Sequence, residues 1–94
     1  MSLIKTYSAL ADATRLKILE LLKKQDQTAG ELGKNFSISG PSMSHHLNIL
    51  KQANLISNRR SGQKIIYSLN LSVFEEMAEN IMQFFTLNKK KKNN

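Results

Sequence analysis

The 94-residue chain has no cysteine, which excludes disulfides and thiolate metal sites and leaves the redox state of its compartment undetermined. Long apolar runs are also missing. The longest are two or three residues, far below the roughly 20 that cross a bilayer, and no charged start, apolar stretch and cleavage site mark a secretion signal. The expected location is therefore cytoplasmic. A third shortage is of one charge sign. No Asp or Glu occurs from residue 32 to residue 74, while Lys34, Lys51, Arg59, Arg60 and Lys64 all fall inside that span. A surface without carboxylates over so long a stretch presents positive potential to phosphate.

A chain this short, 40% apolar, supports one small core and benefits from a partner subunit. The formal charge is +7, of which Lys89, Lys90, Lys91 and Lys92 supply four units, leaving +3 for residues 1–88. The basic character is thus partly terminal, and its clustering between residues 32 and 74 is what argues for a binding face. Residues 1–88 are expected to form one domain and residues 89–94 a disordered basic tail.

Leu3, Ile4, Tyr7 and Leu10 recur at helical spacing and predict a short first helix. Asp12 suits the N-cap of a second, with Leu16, Leu19 and Leu22 inward and Lys23 and Lys24 at its negative C-terminal end. Residues 25–27 read as a polar turn. Thr28 and Glu31 then form a capping box that opens a third helix of about two turns, buried through Leu32 and Phe36. Ser39 caps a fourth helix with the chain's single proline, Pro41, in its first turn, where a missing N–H costs nothing.

In that fourth helix Met43, Leu47 and Leu50 line one side. At 100° per residue the opposite side carries Pro41, Ser42, His45 and Asn48, with Ser44 at its margin. These are small or hydrogen-bonding side chains, suited to base edges and phosphates. His46 falls at the edge of the apolar stripe and is expected to be partly buried and hydrogen-bonded. Residues 55–60 and 64–69 read as two strands around Ser61-Gly62-Gln63. Strand alternation selects Arg60 and Lys64 as the cations that reach a flanking phosphate or the minor groove.

Ser72 and Glu75 repeat the capping-box pattern and open a last helix to about residue 85. Its apolar residues, Met77, Ile81, Phe84 and Phe85 among them, fill half of the helical circle, wider than the roughly 100° stripe that packing on one's own domain requires. The surplus predicts a second subunit.

Helix, helix, helix, recognition helix, basic hairpin, helix is the order of a winged helix-turn-helix. Ala11-Asp12-Ala13-Thr14-Arg15-Leu16-Lys17-Ile18-Leu19 resembles the "DPTR-x-x-IL" opening of the ArsR/SmtB family of bacterial repressors. Pro41-Ser42-Met43-Ser44-His45-His46-Leu47, with Leu50 and Leu55, resembles its recognition helix, and Arg60-Ser61-Gly62-Gln63 with Ile66-Tyr67-Ser68-Leu69 resembles its wing. Within the family the chain is most similar to the metal-independent, SdpR-like autorepressors. The resemblance implies a mainly α fold with a small β-hairpin, and a homodimer through the first and last helices. It also implies repression by occupying a palindromic DNA operator. The expected DNA-contacting set is Thr28, Gly40, Pro41, Ser42, Ser44, His45, Asn48, Arg60, Gln63 and Lys64; the expected dimer interface is Leu3, Ile4, Tyr7, Met77, Ile81, Phe84 and Phe85.

The family's metal sensors use cysteines near the third helix, or Asp and His with a further His or Glu pair on the last. This chain has no cysteine, and its last helix offers Glu75, Glu76 and Glu79 without histidine. No metal or cofactor is expected. Adjacent His45 and His46 point about 100° apart and do not readily share an ion. An enzyme is disfavoured, since no nucleophile, acid/base pair or phosphate-binding motif appears. The remaining alternative is a protein or membrane interaction module using the last helix and the lysine tail, because polybasic segments are attracted to anionic lipid.

Overall fold

The helix starts follow from side chains that satisfy free backbone donors. In the computed structural model, which describes residues 3–93 and the side chains of residues 4–86, α1 spans Leu3–Leu10 and α2 spans Ala13–Lys24. The Asp12 carboxylate accepts from the Arg15 backbone N–H at 3.0 Å and so caps α2. The two-residue strand β1 (Gln27–Thr28) leads into α3 (Ala29–Gly33). There the Thr28 hydroxyl accepts from Glu31 N–H at 3.1 Å while Thr28 N–H donates to the Glu31 carboxylate at 2.9 Å, completing the capping box. α4 spans Gly40–Gln52, with the Ser39 hydroxyl accepting from Ser42 N–H at 3.1 Å and Pro41 in the first turn, as the sequence predicts.

α4 ends in a motif the sequence reading missed. Asn54 adopts φ 61°, a left-handed conformation that asparagine tolerates better than most residues. Leu55 N–H donates to Leu50 O and Asn54 N–H to Lys51 O, both at 3.0 Å. That is a Schellman stop, sealed by contact between the fully buried Leu50 and Leu55. The chain then enters β2 (Ile56–Ser61) and β3 (Lys64–Leu69). Gly62, at φ 63°, and Gln63 make a two-residue turn between the paired Ser61 and Lys64.

The sheet has three strands rather than the two of a bare hairpin, in the order β1-β3-β2. Gln27 pairs with Tyr67 and Thr28 with Ile66, so part of the expected polar turn is an edge strand that anchors the hairpin to the helices. Two residues are too few to show an alternation. The core gathers Ala9, Ile18, Leu19, Leu22, Leu32, Met43, Leu47, Leu50, Leu55 and Ile56. Leu16, expected inward, is 47% exposed, and Ile18 takes the central position on α2. α3 is five residues long instead of two turns, and Phe36 lies half-buried beyond its end.

α5 spans Leu71–Asn93, opening one residue before Ser72, so the second expected capping pair falls inside the helix. It also runs past the expected end near residue 85. No proline or glycine interrupts this stretch, lysine is a good helix former, and cations suit a helix C-terminus. The expected disordered tail at residues 89–94 thus overlaps the helix backbone, and its side chains lie outside the described residues. Among the described residues, no helix is long and apolar enough to cross a membrane.

Asp12→Ala is expected to cost about 1 kcal/mol of stability at neutral pH, the usual value of a lost N-cap. The Arg15 backbone N–H holds the Asp12 carboxyl below its ordinary value of 3.8. Because the folded pKa is depressed, the contribution is complete above the unfolded value and fades as pH falls through the folded one. Denaturant melts of parent and variant should therefore converge in acid.

Candidate nucleic-acid interface

Burial of Met43, Leu47 and Leu50 fixes the rotation of α4 about its own axis. The face turned outward then carries exposed Pro41, Ser44, His45 and Asn48, with Ser42 half-buried beside them and Gly40 exposed at the start. The structure brings these expected residues together on one carboxylate-free surface. α3, the turn at residues 34–39 and α4 form the helix-turn-helix. Lys17 braces its turn, donating to Asn35 O at 3.2 Å and lying 5.1 Å from the centre of the Phe36 ring. His46 is half-buried and bonded to Arg15 at 3.2 Å, as expected for the margin of the apolar stripe.

The hairpin supplies a second surface, and its register corrects one expectation. Arg60 pairs with Ile65 and Ser61 with Lys64, and directly opposed residues share a face. Arg60 and Lys64 therefore lie on opposite faces of the wing, while Arg59 shares the Lys64 face. The misreading came from assuming a three-residue turn where the structure has two. Both cations still flank the tip, where Gln63 is exposed. Thr28 stands at the foot of this region with its hydroxyl engaged in the α3 cap.

Folding redistributes the charge that the sequence appeared to reserve for phosphate. Asp26, outside the carboxylate-free span in sequence, accepts from Arg59 Nη1 at 2.8 Å, and the same nitrogen donates to Ser68 Oγ at 2.9 Å. Hydrogen bonding from the Arg59 side chain, and then from the Ser68 hydroxyl, holds the Asp26 carboxyl below its ordinary value. Glu31 is held low first by the Thr28 backbone N–H and then by the Thr28 hydroxyl, with lesser help from Lys64 and Lys34. Arg59 is thereby paired with a carboxylate. Asp26 is a site residue that sequence reasoning missed, because its partner lies 33 positions away.

A third feature is apolar. Ile4 is 83% exposed and Tyr7 is exposed, with the buried face of α1 made by Thr6 and Ala9. On α5, Val73 and Met77 are buried, whereas every residue from 78 to 86 is exposed, including Ile81, Met82, Phe84 and Phe85. Met77, expected at a subunit interface, is 8% exposed and belongs to the chain's own core. The wheel had merged two successive packing surfaces into one arc. Leu3 opens α1, but its side chain lies outside the described residues.

A three-helix core whose last helix is followed by an anchored hairpin is a winged helix-turn-helix. Residues 12–58 match the family model described as bacterial regulatory protein, arsR family. The chain belongs to this family, and it is a DNA-binding transcriptional regulator rather than an enzyme. It is similar to the transcriptional repressor SdpR of Bacillus subtilis, with 53% identity over 78 residues that cover 83% of this chain and 87% of that one. Among solved structures it is similar to an ArsR-like transcriptional regulator from Rhodococcus sp. RHA1, with TM-score 0.85, 25% identity and coverage of 94% and 83% of the two chains. It shares its fold with a homodimeric winged helix-turn-helix DNA-binding domain from Mycobacterium bovis, at TM-score 0.68, 22% identity and coverage of 86% and 82%.

Arg60→Ala/Lys64→Ala should weaken binding to specific and random duplexes alike, because phosphate contacts carry affinity without sequence information. Loss of two such contacts is expected to lower the magnitude of the log–log salt slope by roughly two units. Titrations across a salt series check this, and an unchanged slope places the wing off the DNA.

Proposed function

We propose that the protein is a metal-independent transcriptional repressor that binds a palindromic operator as a homodimer in the cytoplasm. The observation that carries this reading is the outward face of α4, small and polar over its first turns and without a carboxylate. An α-helix fits the major groove, and residues near the N-terminus of a recognition helix contact base edges there. Ser44, His45 and Asn48 supply donors and acceptors, while Gly40, Pro41 and Ser42 allow close approach of the backbone. A wing tip entering the adjacent minor groove directs Arg60 and Lys64 toward its two opposite walls.

The dimer is supported by the free part of α5. A compact chain of this length has a radius of gyration of about 12 Å, whereas this one measures 15.9 Å with extents of 58 × 25 × 23 Å. The exposed apolar residues of α5, with Ile4 and Tyr7, are what a second copy would cover. The fold-sharing Mycobacterium bovis domain is homodimeric, and two-fold symmetry in a protein is matched by palindromy in its site. Metal independence is supported by the absence of cysteine and of histidine on α5. The family speaks against the alternative of a membrane or protein interaction module.

Ser44→Ala/His45→Ala should lose on the order of 1–3 kcal/mol of operator affinity per lost base contact with an unchanged melting curve. The probe is a duplex selected by the parent protein from a randomised library, and equal affinity for parent and variant refutes the reading. Phe85→Asp places a charge on the free apolar surface, 64% exposed within one chain. It should turn a dimer into a monomer by light scattering at micromolar concentration and weaken binding to the two-half-site duplex. A monomeric parent removes the dimer from the proposal.

A further inference from the structure

Arg15 lies outside the surfaces described above, yet its side chain bridges them. Its Nε donates at 2.7 Å to Ala9 O, one of the last carbonyls of α1, and its Nη2 at 3.3 Å to Ser8 O, which also accepts from Ala11 N–H at 3.1 Å. The third arm, Nη1, meets His46 Nδ1 on α4 at 3.2 Å, across 31 positions of sequence. A guanidinium donates and accepts nothing, so in this contact His46 Nδ1 takes the acceptor's part. The Asp12 carboxylate stands 4.0 Å from the same nitrogen, and its bond to Arg15 N–H pins the first turn of α2 beneath the side chain.

The placement of the two ends gives this bridge its consequence. α1 has eight residues, too few to be a stable helix on its own, and it carries the exposed Ile4 and Tyr7. His46, with 15% of its side chain exposed, sits between His45 on the outward face of α4 and Leu47 in the core. A bond at that point resists rotation of α4 about its axis, the motion that would turn Ser44 and His45 away from a groove. We propose that Arg15, acting through His46, is a positioning residue that couples the seating of α1 to the orientation of the DNA-reading face of α4. This rests on the proposed role of α4. Three bonds from one side chain suit the rigid fork of arginine, and the single ammonium of lysine does not reproduce them.

The test uses the full chain with two probes of equal length, the library-selected duplex and a random-sequence duplex, and reads the ratio of the two affinities. Arg15→Lys and His46→Leu should each reduce that ratio at least tenfold while leaving random-duplex affinity within a factor of two. His46→Asn, whose amide oxygen replaces Nδ1 as acceptor, should restore most of the ratio. If Arg15→Lys does not fold, the comparison of His46→Leu with His46→Asn decides the matter. Nitrogen NMR of the parent protein should show His46 Nδ1 as a hydrogen-bond acceptor; a proton on Nδ1 overturns the proposal. Selectivity retained in the Arg15 and His46 variants, but lost in Ser44→Ala/His45→Ala, overturns the coupling alone. Selectivity retained in all of them overturns the reading of α4 on which the coupling rests.

Discussion

The stripe of Met43, Leu47 and Leu50 is the constraint from which the rest follows. Each is nearly inaccessible to solvent, and truncating such a residue typically costs about 2–5 kcal/mol, a large share of what holds a small domain folded. Because successive residues on a helix are 100° apart, burying these three fixes the outward direction of Ser44, His45 and Asn48. The side chains of that face therefore make no core contact themselves, and the bond from Arg15 to His46 at the margin of the stripe adds to what holds the helix in place. Its small polar side chains are free for a ligand because the opposite side of the same helix carries the stability, and the Schellman stop through Leu50 and Leu55 aims the chain into the wing.

Charge is arranged by a different logic, because proximity in sequence and proximity in space diverge. The span without carboxylates implied five available cations, yet Asp26 reaches Arg59 across the sheet and Glu31 lies close enough to Lys64 to be lowered by it. The Asp26–Arg59 pair is solvent-exposed, so it adds little stability. Its effect is positional: it joins the segment before β1 to β2 and Ser68 on β3, stiffening the hairpin, while among the described residues Arg60 has no carboxylate partner. The wing is therefore less basic than its sequence and more directed.

What the sequence disclosed were features set within three or four residues. Asp12, Thr28 and Ser39 cap their helices as expected because an N-cap depends only on its own turn. The buried stripe of α4 was legible for the same reason, being a property of helical period. The features that escaped depend on distant partners. β1 exists because β3 lies beside it, and Leu16 is exposed because Ile18 packs against the other elements. The two faces of the wing followed from a turn one residue shorter than assumed, and in a strand a shift of one residue exchanges faces. Arg15 was legible only as part of a resemblance, since the atoms it binds are two backbone carbonyls and a histidine 31 residues away.

α5 shows how one continuous helix serves two packing problems. Its first two turns bury Val73 and Met77 against the domain, and from residue 78 onward the described side chains are exposed although Ile81, Met82, Phe84 and Phe85 keep an apolar character. A helix that only closed the domain would end after Met77 or turn polar. The polar positions that do occur beyond it, Glu79, Asn80 and Gln83, leave a defined apolar side instead of a uniform coat. That division gives the proposed dimer its economy. The surface a second copy covers is continuous with the core through Met77, so order on one side of the helix supports order on the other. The far end of the proposed interface is α1, whose C-terminal carbonyls Arg15 ties to α4.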